Sequence, residues 1–238
     1  MADFMVVNKE FLENGIKSVS DAVRSKTGKT DLIPFPDALK AEIEGIPESY
    51  WSEAEVADLV SEKTKVTRLK IPDGITKISH YIFYGMTSLI IESLPDTIES
   101  IEDSAFRDCY NLSLTKLPSQ LKSIGDYAFR QATIYISELP EGLETIGSYA
   151  FLNRSGLTIK SIPASVKVLN VSCFQGCPNL TEITFKGTPD TIAANVFNAC
   201  TNLAVINVPW AEGEVANARW GAPETTVINY NYIEEMGE

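Results

Sequence analysis

The sequence predicts an α+β fold: a solenoid of about six coils of 22–23 residues with short parallel strands, a helical N-terminal region and a C-terminal cap. Two repeating columns carry the prediction. Phenylalanines recur at intervals of 23, 23, 22, 23 and 23 residues, at Phe83, Phe106, Phe129, Phe151, Phe174 and Phe197. Prolines recur as well, each followed three and six positions later by an apolar residue, at Pro72, Pro95, Pro118, Pro140 and Pro163. A unit this short cannot close a core alone, so its coils must stack.

The phenylalanine column is predicted to be the spine of the solenoid. Stacking places each ring on the next, and each buried ring contributes roughly 1.5–3 kcal/mol by the area removed from water. Short strands are predicted before the prolines, because residues 180–185 (LTEITF) and 203–208 (LAVINV) are rich in β-branched residues. A proline then ends a strand without removing a donor from its ladder. The third coil has 22 residues because Ile134 comes one position early.

Two runs of residues resemble a known family. Residues 117–129 read LPSQLKSIGDYAF and residues 173–180 read CFQGCPNL. Both resemble the BspA-like leucine-rich repeat family, whose units follow approximately L-x-x-I-x-I-P-x-x-V-x-x-I-x-x-x-A-F-x-x-C-x-x-L. The resemblance implies a leucine-rich-repeat-type solenoid over residues 66–209. Coils two to five depart from the pattern and carry L-x-I-x-x-[IL]-P instead, which predicts a shift of strand register there.

The N-terminal part is predicted to be helical. It divides into a leader or docking region, residues 1–47, and a helical linker or N-cap, residues 48–65. Residues 8–26 are predicted to form an amphipathic helix, because apolar residues recur there at helical spacing: Leu12, Ile16, Val19 and Val23. These helices could cap the open end of the solenoid, as terminal repeats require, or dock onto another protein. Both interpretations stay open.

A second resemblance concerns the two ends of the chain. Residues 14–31 read NGIKSVSDAVRSKTGKTD, which is similar to a leader of structural, tail-associated proteins of bacteriophages and prophages of Gram-positive bacteria. Residues 208–222 read VPWAEGEVANARWGA and are similar to segments that close repeat domains in such proteins. This resemblance implies a virion component that contacts other virion proteins through its N-terminal helices. Residues 210–238 are predicted to form a C-terminal cap and tail, in which Trp210, Trp220 and residues 227–230 could seal the solenoid.

Charge and hydropathy limit the classes of function. The net charge of −12 disfavours nucleic acid as a partner, because contacts to phosphates need an excess of Lys and Arg. No uncharged apolar run is long enough to span a bilayer, so membrane insertion is not expected. The first residues lack the basic and apolar regions of a secretory signal, so no signal peptide is expected.

The sequence offers no motif for catalysis, a cofactor or a metal ion, so the protein is not expected to be an enzyme. His80 is the single histidine, and a nucleophile system would have to use it. Residues 28–30 (GKT) lack the glycine that a phosphate-binding loop needs five positions earlier, where Val23 stands. The four cysteines follow the repeat register, three residues after a phenylalanine or just before one, and are predicted to be buried free thiols: Cys109, Cys177, Cys200 and Cys173.

Columns beside the phenylalanines give a candidate partner-binding face. The position two residues before the phenylalanine holds Tyr81, Tyr127 and Tyr149, and the position one residue after it holds Tyr84, Arg107 and Arg130. Tyr and Arg are enriched at binding hot spots. The alternative is that the tyrosine column packs sideways on its own neighbours. A second candidate row would lie on the strands, at Ser113, Tyr135 and Thr158.

These observations predict a non-enzymatic binding or structural protein. The main interpretation is a bacteriophage or prophage virion component, in the tail or host-contact apparatus, that presents its repeat surface to a protein or a cell-surface glycan. The alternative is a bacterial cell-surface adhesin of the BspA-like type, as many members of that family are. An oligomer is compatible with either interpretation.

Overall fold

The computed structural model describes residues 5–6, 69–71, 73–216 and 219–233. Within these ranges the chain forms strands and turns and no helix, so the predicted α+β class is corrected there to an all-β solenoid. The predicted helix over residues 8–26, the linker over residues 48–65 and the leader segment lie outside the described residues.

Twelve short strands, each paired in parallel, make up the regular structure of the described part. They are β1 (Met5–Val6), β2 (Leu69–Lys70), β3 (Lys77–Ile78), β4 (Ser100–Ile101), β5 (Ser123–Ile124), β6 (Thr145–Ile146), β7 (Ser161–Ile162), β8 (Val168–Leu169), β9 (Glu182–Phe185), β10 (Thr191–Ile192), β11 (Val205–Asn207) and β12 (Val227–Asn229). One sheet has the order β10-β8-β6-β5-β4-β3, a second has β12-β11-β9-β7, and β1 pairs with β2. Strands one coil apart are therefore neighbours, as a solenoid requires.

The strands predicted before the prolines form in part. β9 and β11 occupy the two predicted runs, which confirms them. In the second and third coils this ladder is reduced to a single bridge between Leu114 and Ile134, and it resumes at β7, which pairs Ser161 with Thr184. This interruption lies within the coils whose L-x-I-x-x-[IL]-P motif predicts a change of strand register.

The six-stranded sheet was not predicted. The carbonyls of Pro95, Pro118, Pro140 and Pro163 each accept a hydrogen bond from the N–H three residues later, for example that of Leu121 to Pro118 at 3.2 Å. This turn swings the chain into a second strand, in which the apolar residue six positions after the proline points inward and a polar residue precedes it. Ile101 pairs with Ile124 in this register.

The phenylalanine column forms the core, as predicted. Successive rings stack with centroids 5.2–5.9 Å apart and ring planes within 15° of parallel. Each of the six rings is at most 2% exposed. The small column just before them is also fully buried and holds Ala105, Ala128, Ala150, Cys173 and Val196. The prediction that Phe106 stacks on Phe129 is confirmed, at a centroid distance of 5.5 Å.

The described part of the chain makes about seven coils where about six were predicted, because one more follows Val208. Phe197 donates its N–H to the carbonyl of Trp220, a bond that in earlier coils goes to the residue before the next phenylalanine. The seventh coil thus has Trp220 in the small column and Gly221 in place of the aromatic ring. Trp210 and Trp220 are buried, and each lies within 6 Å of the ring centroid of Phe185.

Three cysteines connect consecutive coils through their thiols. Cys109, Cys177 and Cys200 are buried and free, and each donates its S–H to the carbonyl of the phenylalanine one coil earlier, at 3.0–3.2 Å. Burial raises the pKa of the Cys177 thiol from 9.0 to about 12 and that of Cys200 to about 11. The prediction of buried free thiols is confirmed.

These pKa values predict a loss of stability in alkali. Below pH 9 the thiol of Cys177 is neutral in the folded and the unfolded chain and has no effect; above pH 9 only the unfolded chain ionises, so unfolding becomes easier as pH rises toward 12. Between pH 8 and pH 10 we expect the wild type to lose about 1 kcal/mol more unfolding free energy than Cys177→Ala does. Urea unfolding at both pH values measures this. Equal losses in the two proteins would contradict the expectation.

Candidate binding surface

The six residues of the predicted binding face come together along one corner of the solenoid. We call them the Tyr–Arg row: Tyr81, Tyr84, Arg107, Tyr127, Arg130 and Tyr149. All six are partly exposed. They belong to four consecutive coils, so a partner that lies along the row would contact several coils at once.

Contacts between coils hold the Tyr–Arg row together. The guanidinium carbon of Arg107 lies 5.2 Å from the ring centroid of Tyr84 and 5.7 Å from that of Tyr127. Arg130 lies 5.7 Å from the same Tyr127 ring, and Tyr127 stacks on Tyr149 with centroids 5.0 Å apart and planes 7° from parallel. These are cation–π and aromatic stacking distances. The alternative of sideways packing therefore describes Tyr127 and Tyr149, yet both remain partly exposed.

The tyrosines of the row have a left-handed backbone. Their φ angles are 55° at Tyr81, 55° at Tyr127 and 56° at Tyr149. The same column is left-handed in the other coils, at Ser104, Ser172 and Asn195. The left-handed region costs a residue with a Cβ roughly 1–2 kcal/mol, less for Asn, whose side chain can hydrogen-bond locally. A bulky tyrosine is a poor choice for this backbone, and three of the six coils nevertheless have one.

The corner is fixed by hydrogen bonds from coil to coil. The N–H of Tyr127 donates to the carbonyl of Ser148 at 2.8 Å, and that of Tyr149 donates to Val171 at 3.0 Å. Side chains add to this: Asp103 Oδ1 accepts from the N–H of Asp126 at 2.8 Å, and Asp126 Oδ1 accepts from that of Ser148 at 2.5 Å. These two aspartates, which no sequence motif marks, support the backbone beneath the row.

His80 lies at the start of the aspartate column. Its Nδ1 accepts from the N–H of Asp103 at 3.2 Å, and its Nε2 lies 3.2 Å from Glu102 Oε2. A shallow groove of about 290 Å³ runs alongside, over the outward hydroxyls of Ser100, Ser123 and Thr145. In the described ranges, no group of three His, Cys, Asp or Glu side chains could hold a metal ion.

The second candidate row lacks this organisation. Tyr135 is 56% exposed and has no aromatic or cationic partner among the described residues. Its N–H donates to the carbonyl of Leu114, and that of Thr158 donates to Ile136, so only the backbone connects the coils there. The Tyr–Arg row is therefore the better ordered of the two surfaces. Over the ranges that the structure covers, no helix is long and apolar enough to cross a bilayer.

Parallel coils of 22–23 residues with shared Leu, Ile and Phe columns define a leucine-rich repeat solenoid, a class that serves mainly as a scaffold for binding. A family model described as "BspA type Leucine rich repeat region" matches six copies, over residues 58–178 and 136–212. The chain therefore belongs to the BspA-type leucine-rich repeat family. Among curated proteins, none matches the chain significantly.

Several solved structures of leucine-rich repeat proteins are similar to the chain. A leucine-rich repeat protein of T. pallidum is 30% identical with a TM-score of 0.50, over 59% of this chain and 66% of that one. One of Bacteroides ovatus is 24% identical with a TM-score of 0.48, over 70% and 52%. A leucine rich cell surface protein of Faecalibacterium prausnitzii is 20% identical with a TM-score of 0.44, over 69% and 56%. The chain thus spans about half to two thirds of the length of these proteins.

The comparisons bear on the two functional interpretations. They indicate no family of enzymes, and leucine-rich repeat proteins are generally non-enzymatic binding scaffolds. They give no support to the expected place in a phage particle, and the family fits the alternative, a bacterial surface protein, better. The leader that suggested a virion lies outside the described residues, and the comparisons do not show its resemblance to phage proteins.

Proposed function

We propose that the chain is a bacterial cell-surface binding protein of the BspA type, and that it holds a protein or glycan ligand on the Tyr–Arg row. One observation carries this proposal: four tyrosines, three of them with left-handed backbone, and two arginines contact one another in a continuous, partly exposed row. Membership of the BspA-type family supports the cellular location and the binding role.

The side chains of the row are already fixed in the folded protein, which favours binding. A side chain that loses its rotamer freedom on binding costs about 0.5–1.5 kcal/mol of affinity. Arg107 is already held between Tyr84 and Tyr127, and Tyr127 is held between Arg107 and Tyr149. The row therefore presents large, polar-tipped side chains whose ordering was completed during folding.

The backbone conformation of the row also supports a binding role. Left-handed residues other than glycine persist where the surrounding structure imposes them, and they cluster at functional sites. Asn195 shows that an asparagine fits this column at the end of the repeat. Stacking of Tyr127 on Tyr149 contributes roughly 0.5–1.5 kcal/mol, which is less than the roughly 1–2 kcal/mol that the left-handed backbone costs at each of the two tyrosines. Stability alone therefore gives little reason to prefer tyrosine there, and a ligand gives one.

The test is the double substitution Tyr127→Asn with Tyr149→Asn. Asparagine relieves the left-handed strain while it removes the stacking, so we expect a change in unfolding free energy within about 1 kcal/mol per site. Binding to a glycan array and to a parallel array of extracellular proteins is expected to fall at least about tenfold, the effect of losing 1.4 kcal/mol.

Tyr135→Thr is the matched control, because it removes an exposed tyrosine of the second candidate row. It should bind as the wild type does. Unchanged binding by the double variant, loss of binding in Tyr135→Thr instead, or no binding of the wild type to either array would each overturn the proposal.

A further inference from the structure

Arg130 is an arginine of the Tyr–Arg row whose guanidinium has no polar partner among the described residues. It makes no ion pair and no hydrogen bond with any residue that the structure describes, and its Nε is covered without an acceptor. The Nε of Arg107 is likewise covered without an acceptor, but the other arginines of the described part each have an ion pair or a hydrogen bond. Arg107 lies 3.7 Å from Asp108, Arg154 donates to the carbonyl of Ala132 at 2.6 Å, and Arg219 donates to that of Glu224 at 2.8 Å.

The covered Nε of Arg130 is an unusual feature, because covered donors are nearly always satisfied in native proteins, and the two terminal nitrogens, which are not covered in this way, remain for a ligand. The planar fork of the guanidinium matches a carboxylate, which it binds through two parallel hydrogen bonds. Contact with the ring of Tyr127 holds the Arg130 guanidinium in place. We propose that the Tyr–Arg row binds an acidic saccharide, whose carboxylate is held by Arg130. This inference rests on the proposed function of the row.

The net charge of −12 does not oppose an anionic ligand at this position. At physiological salt, charges farther than about 8 Å from the ligand are largely screened. The nearest carboxylates are also occupied: that of Asp108 faces Arg107, and Asp103 and Asp126 each accept a hydrogen bond from a backbone N–H of the next coil. Arg130 is therefore the cation of the row that forms no ion pair with a described carboxylate.

A saccharide fits the row better than an acidic peptide. Peptides often pair their backbone with an open strand edge, but the backbone N–H groups of the row are used within the solenoid. Those of Tyr81, Tyr127 and Tyr149 donate to the next coil, and that of Arg130 donates to Tyr127. Side chains alone remain for recognition. Phenol rings and hydroxyls beside a guanidinium offer apolar contact, hydrogen bonds and charge to one carboxylated sugar.

The experiment compares saccharides that differ in one carboxylated unit. Binding of the full chain to lactose and to 3′-sialyllactose, and to neutral and uronic-acid oligosaccharides of equal length, is measured at physiological salt by biolayer interferometry. We expect a preference of about tenfold or more for the acidic member of each pair. Arg130→Gln should abolish this preference, and Arg130→Lys should retain part of it, because a lysine keeps the charge without the fork.

Lys116→Gln is the matched control, since it removes one exposed positive charge away from the row and should leave the preference intact. Circular dichroism establishes that each variant is folded. Equal binding of neutral and acidic members, or an unchanged preference in Arg130→Gln, would overturn this inference. The proposed function would still stand in that case if the Tyr127→Asn, Tyr149→Asn protein lost binding. Binding of poly-glutamate without binding of any saccharide, or binding of none of these probes, would also overturn it.

Discussion

Replacing Phe129 by alanine is expected to lower the free energy of unfolding by about 3–5 kcal/mol. The ring is fully buried and stacks on Phe106 on one side and on Phe151 on the other, at 5.5 Å in each direction. Its removal leaves a cavity in the middle of the column, and the backbone cannot collapse into it because strands β5 and β6 fix the coil spacing. Urea-induced unfolding followed by circular dichroism measures the loss.

Phe129→Leu is the control for this expectation. Leucine keeps most of the buried apolar volume, so the loss should stay below about 1.5 kcal/mol. In a repeat protein each coil depends on its neighbours, so Phe129→Ala should also broaden the transition if the two halves of the solenoid then unfold separately. A loss under 1 kcal/mol for Phe129→Ala would mean that the stacked column is not what holds consecutive coils together.

The core could be predicted from the sequence because packing imposes its period. Every coil has to fill the same volume beside the same neighbours, so Phe106 and Phe129 recur as phenylalanines and the thiol positions recur as Cys177 and Cys200. The seventh coil was not predicted from the sequence because different residue types fill its core volume. Trp220 occupies the small column and Gly221 the place of the ring, so the residue types there no longer repeat.

The corner of each coil was harder to predict. A left-handed backbone accepts Tyr127, Ser104 and Asn195 in the same column, so no residue type marks it. Two positions after each phenylalanine the backbone is left-handed again, and Gly85 and Gly176 give a usable signal there, whereas Gln131 and Ala199 do not. Glycines recur where φ is positive. The six-stranded sheet was missed because strands of two residues are too short for an alternating pattern to be recognised.

The residues of the Tyr–Arg row could be predicted, but not their contacts. Their columns are visible in the sequence, whereas the position of Arg107 between Tyr84 and Tyr127 depends on the second coil. There the tyrosine column holds Ser104, which is small and buried. The Arg107 guanidinium covers the face of Tyr127 that a tyrosine at residue 104 would otherwise cover. A residue from one repeat column here occupies the place that a residue from another column would fill. Comparing the repeats one column at a time cannot reveal this, because it depends on distances in three dimensions.

Replacing Gly156 by alanine is expected to destabilise the protein by roughly 1–3 kcal/mol. The reason lies in the short third coil. In the next two coils this column holds Asn179 and Asn202, whose side-chain amides donate to carbonyls one coil earlier. Because Ile134 comes one position early, its carbonyl oxygen occupies the space that a side chain at residue 156 would need. An added Cβ would overlap this oxygen, which belongs to the backbone and cannot rotate away.

Gly142→Ala is the matched control, because nothing lies within 4 Å of a Cβ at that position and its φ is not positive. Alanine there reduces the freedom of the unfolded chain, so stability should be unchanged or rise by up to about 1 kcal/mol. Urea midpoints of both variants and the wild type measure the difference. Equal stability of Gly156→Ala and Gly142→Ala would mean that the third and fourth coils do not approach as closely as the 22-residue spacing requires. The register of the repeat after Ile134 would then have to be moved by one residue.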